Sequence, residues 1–352
     1  MLPLTYRLRS QERAFASARC RGSVDKKLAI HTDRDHPSER ERKEVRSMEF
    51  GIIGLGRMGR SLARQAIDKG HRVLGYNRTQ RVTDELAREG LDPTTSIEQL
   101  VSKLSAPRII FIYLTHGEPT EGACQALRPM LAAGDIVADG GNSHWSDSQR
   151  RHAFFAEAGV RFLDIGTSGG VSGARHGACF MAGGDRDAYE LVAPILKDLA
   201  VDDEGTFFVG APGSGHFVKL VHNAIEFGMV QAIAEGVELL KRSGYDLDLV
   251  GLFNNWMHGS VIRSWLIELM GKALTEHPDF GELATYVEDT GEVKWVLDWA
   301  LEQDIPTPVV SFAQTALLQY RDLDSPTAKA VALLRNQFGG HPLRRASERE
   351  RR

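Results

Sequence analysis

The chain has 352 residues, of which 42% are hydrophobic and 26% charged, with a formal net charge of −4. That profile suits a soluble globular protein of two domains with a sizeable core. No apolar run reaches the length of a membrane span, and Cys20, Cys124 and Cys179 are scattered, which argues against a disulfide scaffold or a thiolate zinc site and fits a cytoplasmic protein. Residues 1–47 carry 12 basic and 7 acidic side chains, leaving 31 and 40 in the rest; an acidic body offers nucleic acid no partner.

Residues 1–47 are arginine-rich and lack apolar periodicity. They read as a disordered extension, or as sequence upstream of a natural start at Met48. A transit peptide is the weaker alternative; it rests on five arginines against Glu12 in the first 23 residues, and no secretory core is present. Residues 342–352 form a charged tail expected to fray.

From Glu49 onward short apolar runs alternate with helical stretches. Strands are expected at Phe50–Ile53, Arg72–Tyr76, Ile109–Leu114, Asp135–Asp139 and Arg161–Ile165, and helices at Arg57–Lys69 and Arg81–Glu89. This alternation predicts an α/β, Rossmann-type doubly wound domain over residues 48–210, its sheet mostly parallel. Gly54-Leu55-Gly56-Arg57-Met58-Gly59 follows a strand and opens a helix. Its glycines permit a tight turn and close backbone approach to a dinucleotide pyrophosphate at the helix N-terminus. The second strand ends at Asn77-Arg78-Thr79, where the residue reading the adenosine ribose is expected. No acid stands there to repel a 2′-phosphate, and Arg78 and Thr79 can bind one. The cofactor is expected to be NADP, with NAD as the other candidate.

Ala211-Pro212-Gly213-Ser214-Gly215 is a breaker cluster. Beyond it, helical periodicity runs through Phe217–Arg242, Leu247–Met257, Val261–Leu274, Val293–Glu302, Val309–Arg321 and Thr327–Phe338. An all-helical second domain for substrate and oligomerisation is therefore expected over residues 211–341. Its first helix sets Lys219, His222, Asn223 and Glu226 on one face, the amine and carboxylate about 10 Å apart. Such a stripe suits acid–base chemistry on a substrate lying along the helix. Taken alone, it reads first as a solvated face of an amphipathic helix. A metal site among the scattered histidines is not expected. The five tryptophans read as core and interface residues, Cys179 as a buried small residue, and His216 as a cap or a substrate neighbour.

Further motifs carry a resemblance. Asp139-Gly140-Gly141-Asn142-Ser143, the loop Ser168-Gly169-Gly170-Val171-Ser172-Gly173-Ala174-Arg175 with Met181-Ala182-Gly183-Gly184, the helix Gly215 to Glu226, and Arg335-Asn336-Gln337-Phe338-Gly339-Gly340-His341 resemble the 6-phosphogluconate dehydrogenase family of the β-hydroxyacid dehydrogenases. The resemblance covers about residues 48–343, and Gly259 to Trp265 is similar to the family's short form. It implies an enzyme that oxidatively decarboxylates 6-phosphogluconate to ribulose 5-phosphate with NAD(P). In that scheme Lys219 is the general base and Glu226 the acid, while Asn223 and His222 hold sugar hydroxyls. Asn142, Ser168, Gly169 and Gly170 would orient the substrate carboxylate and the nicotinamide end. Arg263, Arg335 and His341 would bind the phosphate, and no metal is required. The tail from Arg335 to His341 is expected after the last helix, reaching the site of a neighbouring subunit in a homodimer or homotetramer.

Chemistry adds two demands. The lysine must be neutral to act as a base, which burial promotes, and the glutamate must keep a proton, which the same burial would favour. Two positions depart from the family: Phe227 stands where tyrosine is usual, and Thr290 takes the place of a lysine in the long form's K-G-T-G-K-W. Phe227 fits a sibling dehydrogenase acting on a small unphosphorylated acid such as 3-hydroxyisobutyrate, but that reading leaves Arg263, Arg335 and His341 without a task. A non-catalytic NADP-binding sensor would require a degraded acid–base helix.

Overall fold

The computed structural model describes residues 47–278, 280, 281, 283–321, 324–339 and 342. The expectations for residues 1–46, His341 and 343–352 lie outside the described residues. Continuous apolar runs such as Ile109-Ile110-Phe111-Ile112 form strands buried on both faces, as a parallel sheet covered by helices requires. The strands are β1 (Glu49–Ile53), β2 (Arg72–Tyr76), β3 (Asp92–Pro93), β4 (Ile109–Ile112), β5 (Ile136–Asp139), β6 (Arg161–Ser168), β7 (Cys179–Gly184) and β8 (Thr206–Gly210). They form one sheet in the order β3-β2-β1-β4-β5-β6-β7-β8. All its pairings are parallel except β6 with β7. Helices α1 (Arg57–Asp68), α2 (Gln80–Ala87), α3 (Ile97–Lys103), α4 (Glu118–Leu127), α5 (Trp145–Ala156), α6 (Gly170–His176) and α7 (Arg186–Leu199) accompany the strands. Apolar clusters fill both faces of the sheet, one including Phe50, Leu62 and Leu196, the other Leu100, Ile110 and Phe155.

After Gly210 the described residues are helical: α8 (Ser214–Lys241), α9 (Leu249–Met257), α10 (Trp265–Glu276), α11 (Glu292–Glu302), α12 (Pro308–Arg321) and α13 (Pro326–Gly339). The fold is thus a Rossmann-type sheet followed by a helical segment. None of the described helices is long and apolar enough to cross a membrane.

Three expectations need correction. Strands β3, β7 and β8 were not foreseen: β3 is only two residues long, Cys-Phe-Met-Ala-Gly-Gly carries no clear alternation, and β8 is an edge strand with Phe207 exposed. The helix read from Val261 begins at Trp265, because the Ser264 hydroxyl caps it by accepting from the Ile267 N–H at 3.3 Å. Arg335 lies within α13 rather than after the last helix. Ala328, Lys329, Ala330, Ala332, Leu333 and Leu334 are good helix formers, so the periodicity of Thr327–Phe338 continues through the arginine.

Candidate active site

The turn between β1 and α1 is built by its glycines. Gly54 has φ +96°, and a Cβ there would stand 2.4 Å from the Tyr113 carbonyl. A Cβ at Gly59 would stand 2.0 Å from the Gly54 carbonyl. Only hydrogen fits at both, so α1 packs hard against the strand end. At Gly56 a Cβ would meet nothing within 4 Å. The turn therefore leaves open space in front of the α1 N-terminus, whose first N–H groups lack intrahelical partners, and a pyrophosphate fits there. Leu55 is buried, and its backbone N–H donates to Asn77 Oδ1 at 3.1 Å. Asn77 also donates from Nδ2 to the Thr79 carbonyl at 3.2 Å, so this side chain braces the turn. Arg78 and Thr79 stay exposed, and Thr79 makes no side-chain bond at the start of α2.

Helix α8 is fastened to the sheet by one buried carboxylate. Asp164 on β6 accepts from the backbone N–H of Gly213 and of His216, each at 2.8 Å. The His216 ring is buried against Ser148, Nδ1 to Oγ 2.8 Å, so His216 anchors the helix start, and its Nε2 has no hydrogen-bond partner among the described residues. Close approach is possible because glycines line the contact: a Cβ at Gly215 would stand 2.2 Å from the Asp164 carbonyl. A Cβ at Gly166 would stand 2.5 Å from that of Lys219.

The predicted stripe is bonded together. Lys219 is only 8% exposed. Its Nζ donates to Asn223 Oδ1 and lies 3.4 Å from His222 Nδ1. His222 Nε2 is 3.0 Å from the hydroxyl of Ser168 at the end of β6. With Nδ1 accepting from the lysine, Nε2 carries the proton donated to Ser168. Burial pulls the Lys219 pKa below its ordinary value, against the opposing charges of Glu226, Glu292 and Cys179. Burial, followed by the charge of Lys219, likewise lowers His222.

Glu226 reaches His222 Nδ1 at 3.9 Å, but its side chain is 45% exposed. The burial expected for it is absent, because it lies nearly three turns beyond the docked start of α8, beside exposed Ile225 and Met229. Cys179 is also exposed rather than buried, since it opens β7 directly opposite Ser168.

Asn142 sits at φ +54°, held by its neighbours. Buried Asp139 accepts from the Gly141 N–H and the Ser143 hydroxyl, both at 2.9 Å, and from buried Arg151 at 3.0 Å. Asn142 Nδ2 donates to Glu292 Oε1 on α11 at 3.0 Å. Three of the tryptophans join a cluster that fixes α11 over the loops. Trp295 packs edge-on against His116 and His144, at 4.9 and 5.2 Å, and Phe217 bridges Trp145 and Trp299, at 5.2 and 4.9 Å. Glu292 and Asp164 were not anticipated. The acid in Thr290-Gly291-Glu292-Val293-Lys294-Trp295 signalled the first, but nothing local marks the second.

Gly169 and Gly170 take positive φ, 110° and 58°, at the turn from β6 into α6, beside Ser168. Arg263 and Arg335 are exposed, and no hydrogen bond or ion pair joins them to Lys219, His222, Asn223 or Glu226.

A glycine turn open to a dinucleotide, together with a buried lysine bonded to imidazole and amide, defines an NAD(P)-linked dehydrogenase of the β-hydroxyacid class. Residues 49–215 match the family described as the NAD binding domain of 6-phosphogluconate dehydrogenase, and residues 215–292 match the C-terminal domain of that enzyme. A Bacillus subtilis protein with 6-phosphogluconate dehydrogenase as its provisional name is 44% identical, over 84% of this chain and 98% of its own. The chain belongs to the 6-phosphogluconate dehydrogenase family.

The NAD(+)-dependent, decarboxylating 6-phosphogluconate dehydrogenase of Haloferax volcanii is 37% identical over 86% of this chain and all of its own. Among solved structures, 6-phosphogluconate dehydrogenase of Plasmodium falciparum superposes with a TM-score of 0.73 at 30% identity. That match covers 83% of this chain and 65% of the Plasmodium one, whose structures are described as apo, with NADP+ and with 6-phosphogluconate. The 3-hydroxyisobutyrate dehydrogenase of Mycobacterium tuberculosis shares the fold, with a TM-score of 0.64 at 21% identity over 79% of this chain and 94% of that one.

Proposed function

We propose that this chain oxidises 6-phosphogluconate with NAD(P) and decarboxylates it to ribulose 5-phosphate and carbon dioxide. The observation that carries this reading is Lys219: buried, lowered in pKa, and bonded to His222 and Asn223 on the helix that also bears Glu226. Residues 48–210 hold the cofactor in this reading, and residues 211–341 serve substrate and assembly. The Gly54–Gly59 turn would hold the pyrophosphate, and the bound nicotinamide supplies a hydride acceptor.

Neutral Lys219 takes the proton of the 3-hydroxyl as C3 becomes a carbonyl. Asn223 and His222 position the sugar hydroxyls, and Ser168, Gly169 and Gly170 line the turn beside them. The lysine, now an ammonium, donates to that carbonyl, which accepts the electron pair left as the C1 carboxylate departs. Glu226 then protonates the carbon that lost the carboxylate. NADP is the favoured cofactor, because Arg78 and Thr79 are exposed at the end of β2 with side chains available to a 2′-phosphate.

The active form in this reading is a homo-oligomer. No hydrogen bond or ion pair joins Arg263 or Arg335 to the lysine cluster among the described residues, and apolar side chains stand uncovered on α8, α12 and α13, among them Ile225, Phe312 and Leu334. A second copy covering them would also cover Glu226. The test is cofactor reduction together with carbon dioxide release from 6-phosphogluconate, run beside gluconate and 3-hydroxyisobutyrate and with NADP beside NAD. Turnover of 3-hydroxyisobutyrate alone would overturn the assignment.

A further inference from the structure

The structure assigns to Glu292 the task of turning the amide of Asn142 so that its oxygen, not its nitrogen, faces the bound ligand. The inference rests on the proposed dehydrogenase reading, in which Asn142 borders the ligand. Its ground is the chemistry of one hydrogen bond. A carboxylate accepts and cannot donate, whereas an amide carries one accepting and one donating end. At 3.0 Å from Glu292 Oε1, the Asn142 atom must be the nitrogen. The oxygen then points the other way. It is buried and has no hydrogen-bond partner among the described residues.

The backbones of both partners are held in place. Asn142 holds a left-handed backbone, φ +54°, over the Asp139–Ser143–Arg151 network. Glu292 opens α11 directly after Gly291, whose N–H donates to Asp289 at 2.9 Å, and Asp289 pairs with Lys294 at 2.7 Å. Trp295, one turn on, is wedged against His116 and His144. A buried acceptor without a donor is costly, and a ligand removes the cost by bringing an O–H or N–H. A substrate carboxylate brings neither. Asn142 therefore receives a sugar hydroxyl or the nicotinamide carboxamide, and the carboxylate contact expected of it from the sequence falls to other donors. Glu292 is a positioning residue in this scheme. Its charge also favours the ammonium form of Lys219 against burial.

The test is a swap. Asn142→Asp alone sets two carboxylates against each other. Glu292→Gln alone lets the Asn142 amide adopt either orientation. Combining the two restores one donor and one acceptor at the pair, leaves an oxygen facing the ligand, and preserves the net charge. Affinity for reduced cofactor is read by fluorescence without substrate, and kcat and KM are read with 6-phosphogluconate. Asn142→Asp should lose about ten- to a hundredfold, the scale of a charge-assisted hydrogen bond, and the double variant should recover most of that loss. Losses in cofactor affinity alone identify the carboxamide as donor; losses confined to KM for the sugar acid identify a hydroxyl. Both should appear in affinity rather than in Tm. A double variant that melts like the parent yet stays at the level of Asn142→Asp would overturn the inference, as would Asn142→Asp behaving like the parent. Wild-type turnover of 6-phosphogluconate is the control: its absence would count against the dehydrogenase assignment, while cofactor affinity in the four proteins would still report on the amide.

Discussion

Gly166→Ala should disable the enzyme without touching a reacting group. Gly166 lies on β6 where the strand meets α8, and a Cβ added there stands 2.5 Å from Cβ of Lys219 and 2.9 Å from the Gly215 carbonyl. Ordinary contact begins at 3.4 Å, so the lysine must retreat by about 0.9 Å to relieve the overlap. Neither side yields readily: β6 is paired with β7 at Gly166 and with β5 as far as Asp164, and Asp164 ties α8 to it through two backbone bonds. Displacing a reacting group by about 1 Å costs on the order of 10²-fold in rate. Overpacking by one methyl costs about 1–3 kcal/mol, which lowers Tm but leaves a two-layer core of this size folded. Steady-state kcat with 6-phosphogluconate should therefore fall about a hundredfold. The affinity for reduced cofactor, which the proposed reading sets at the Gly54–Gly59 turn, should stay near that of the parent. Parental kcat in a Gly166→Ala protein that melts cooperatively would refute the claim that this contact places the base.

Lys219→Met should lower turnover by at least about 10²-fold and raise Tm at neutral pH. Between its lowered native pKa and the ordinary 10.5, the unfolded chain binds the extra proton, so parental stability rises with pH in that window; the Lys219→Met protein lacks that rise, and identical Tm–pH profiles would contradict it. Activity that requires neutral Lys219 should likewise increase with pH through a limb below 10.5. Glu226→Gln should lower kcat by about 10²–10⁴-fold, with substrate isotope effects separating oxidation from the later proton delivery; a parental kcat across pH would place the acid elsewhere. Arg78→Ala should weaken NADP far more than NAD, by an amount that shrinks at high salt, and equal losses would remove Arg78 from phosphate recognition. Arg335→Ala mixed with Lys219→Met should regain activity after subunit exchange, because one site then pairs an intact lysine with an intact arginine from its partner; no recovery in verified mixed oligomers would count against a shared site.

Much of this was legible because it is periodic or local. Buried parallel strands such as Ile109–Ile112 are continuous apolar runs, and the offsets 0, +3, +4 and +7 of Lys219, His222, Asn223 and Glu226 place four groups on one helical face without any tertiary information. What escaped the sequence depends on partners far along the chain. Cys179–Gly184 is a strand because Leu163 to Ser168 lies antiparallel on one edge and Thr206 to Gly210 parallel on the other. Glu292 meets Asn142 across 150 residues. The exposure of Glu226 reflects which element fails to cover it, and no pattern within α8 could report that.

The position of Lys219 follows from β6 more than from the helical segment that contains it. Asp164 fixes the first turn of α8 through the N–H groups of Gly213 and His216, and Gly166 and Gly215 set how near the strand the helix lies. Lys219 is one turn beyond that cap. Errors of orientation grow along a rigid rod, so a group one turn from its anchor is held tightly, and Glu226, nearly three turns beyond it, much less so. This gradient matches the observed burial, 8% exposure at Lys219 against 45% for the side chain of Glu226. In the proposed mechanism the base is thus preorganised by the same sheet that positions the turn proposed to receive the dinucleotide. The two groups that must meet across the substrate, amine and nicotinamide, share one rigid frame. Glu226, the proposed proton donor for the later step, sits where substrate or a second copy can still close over it.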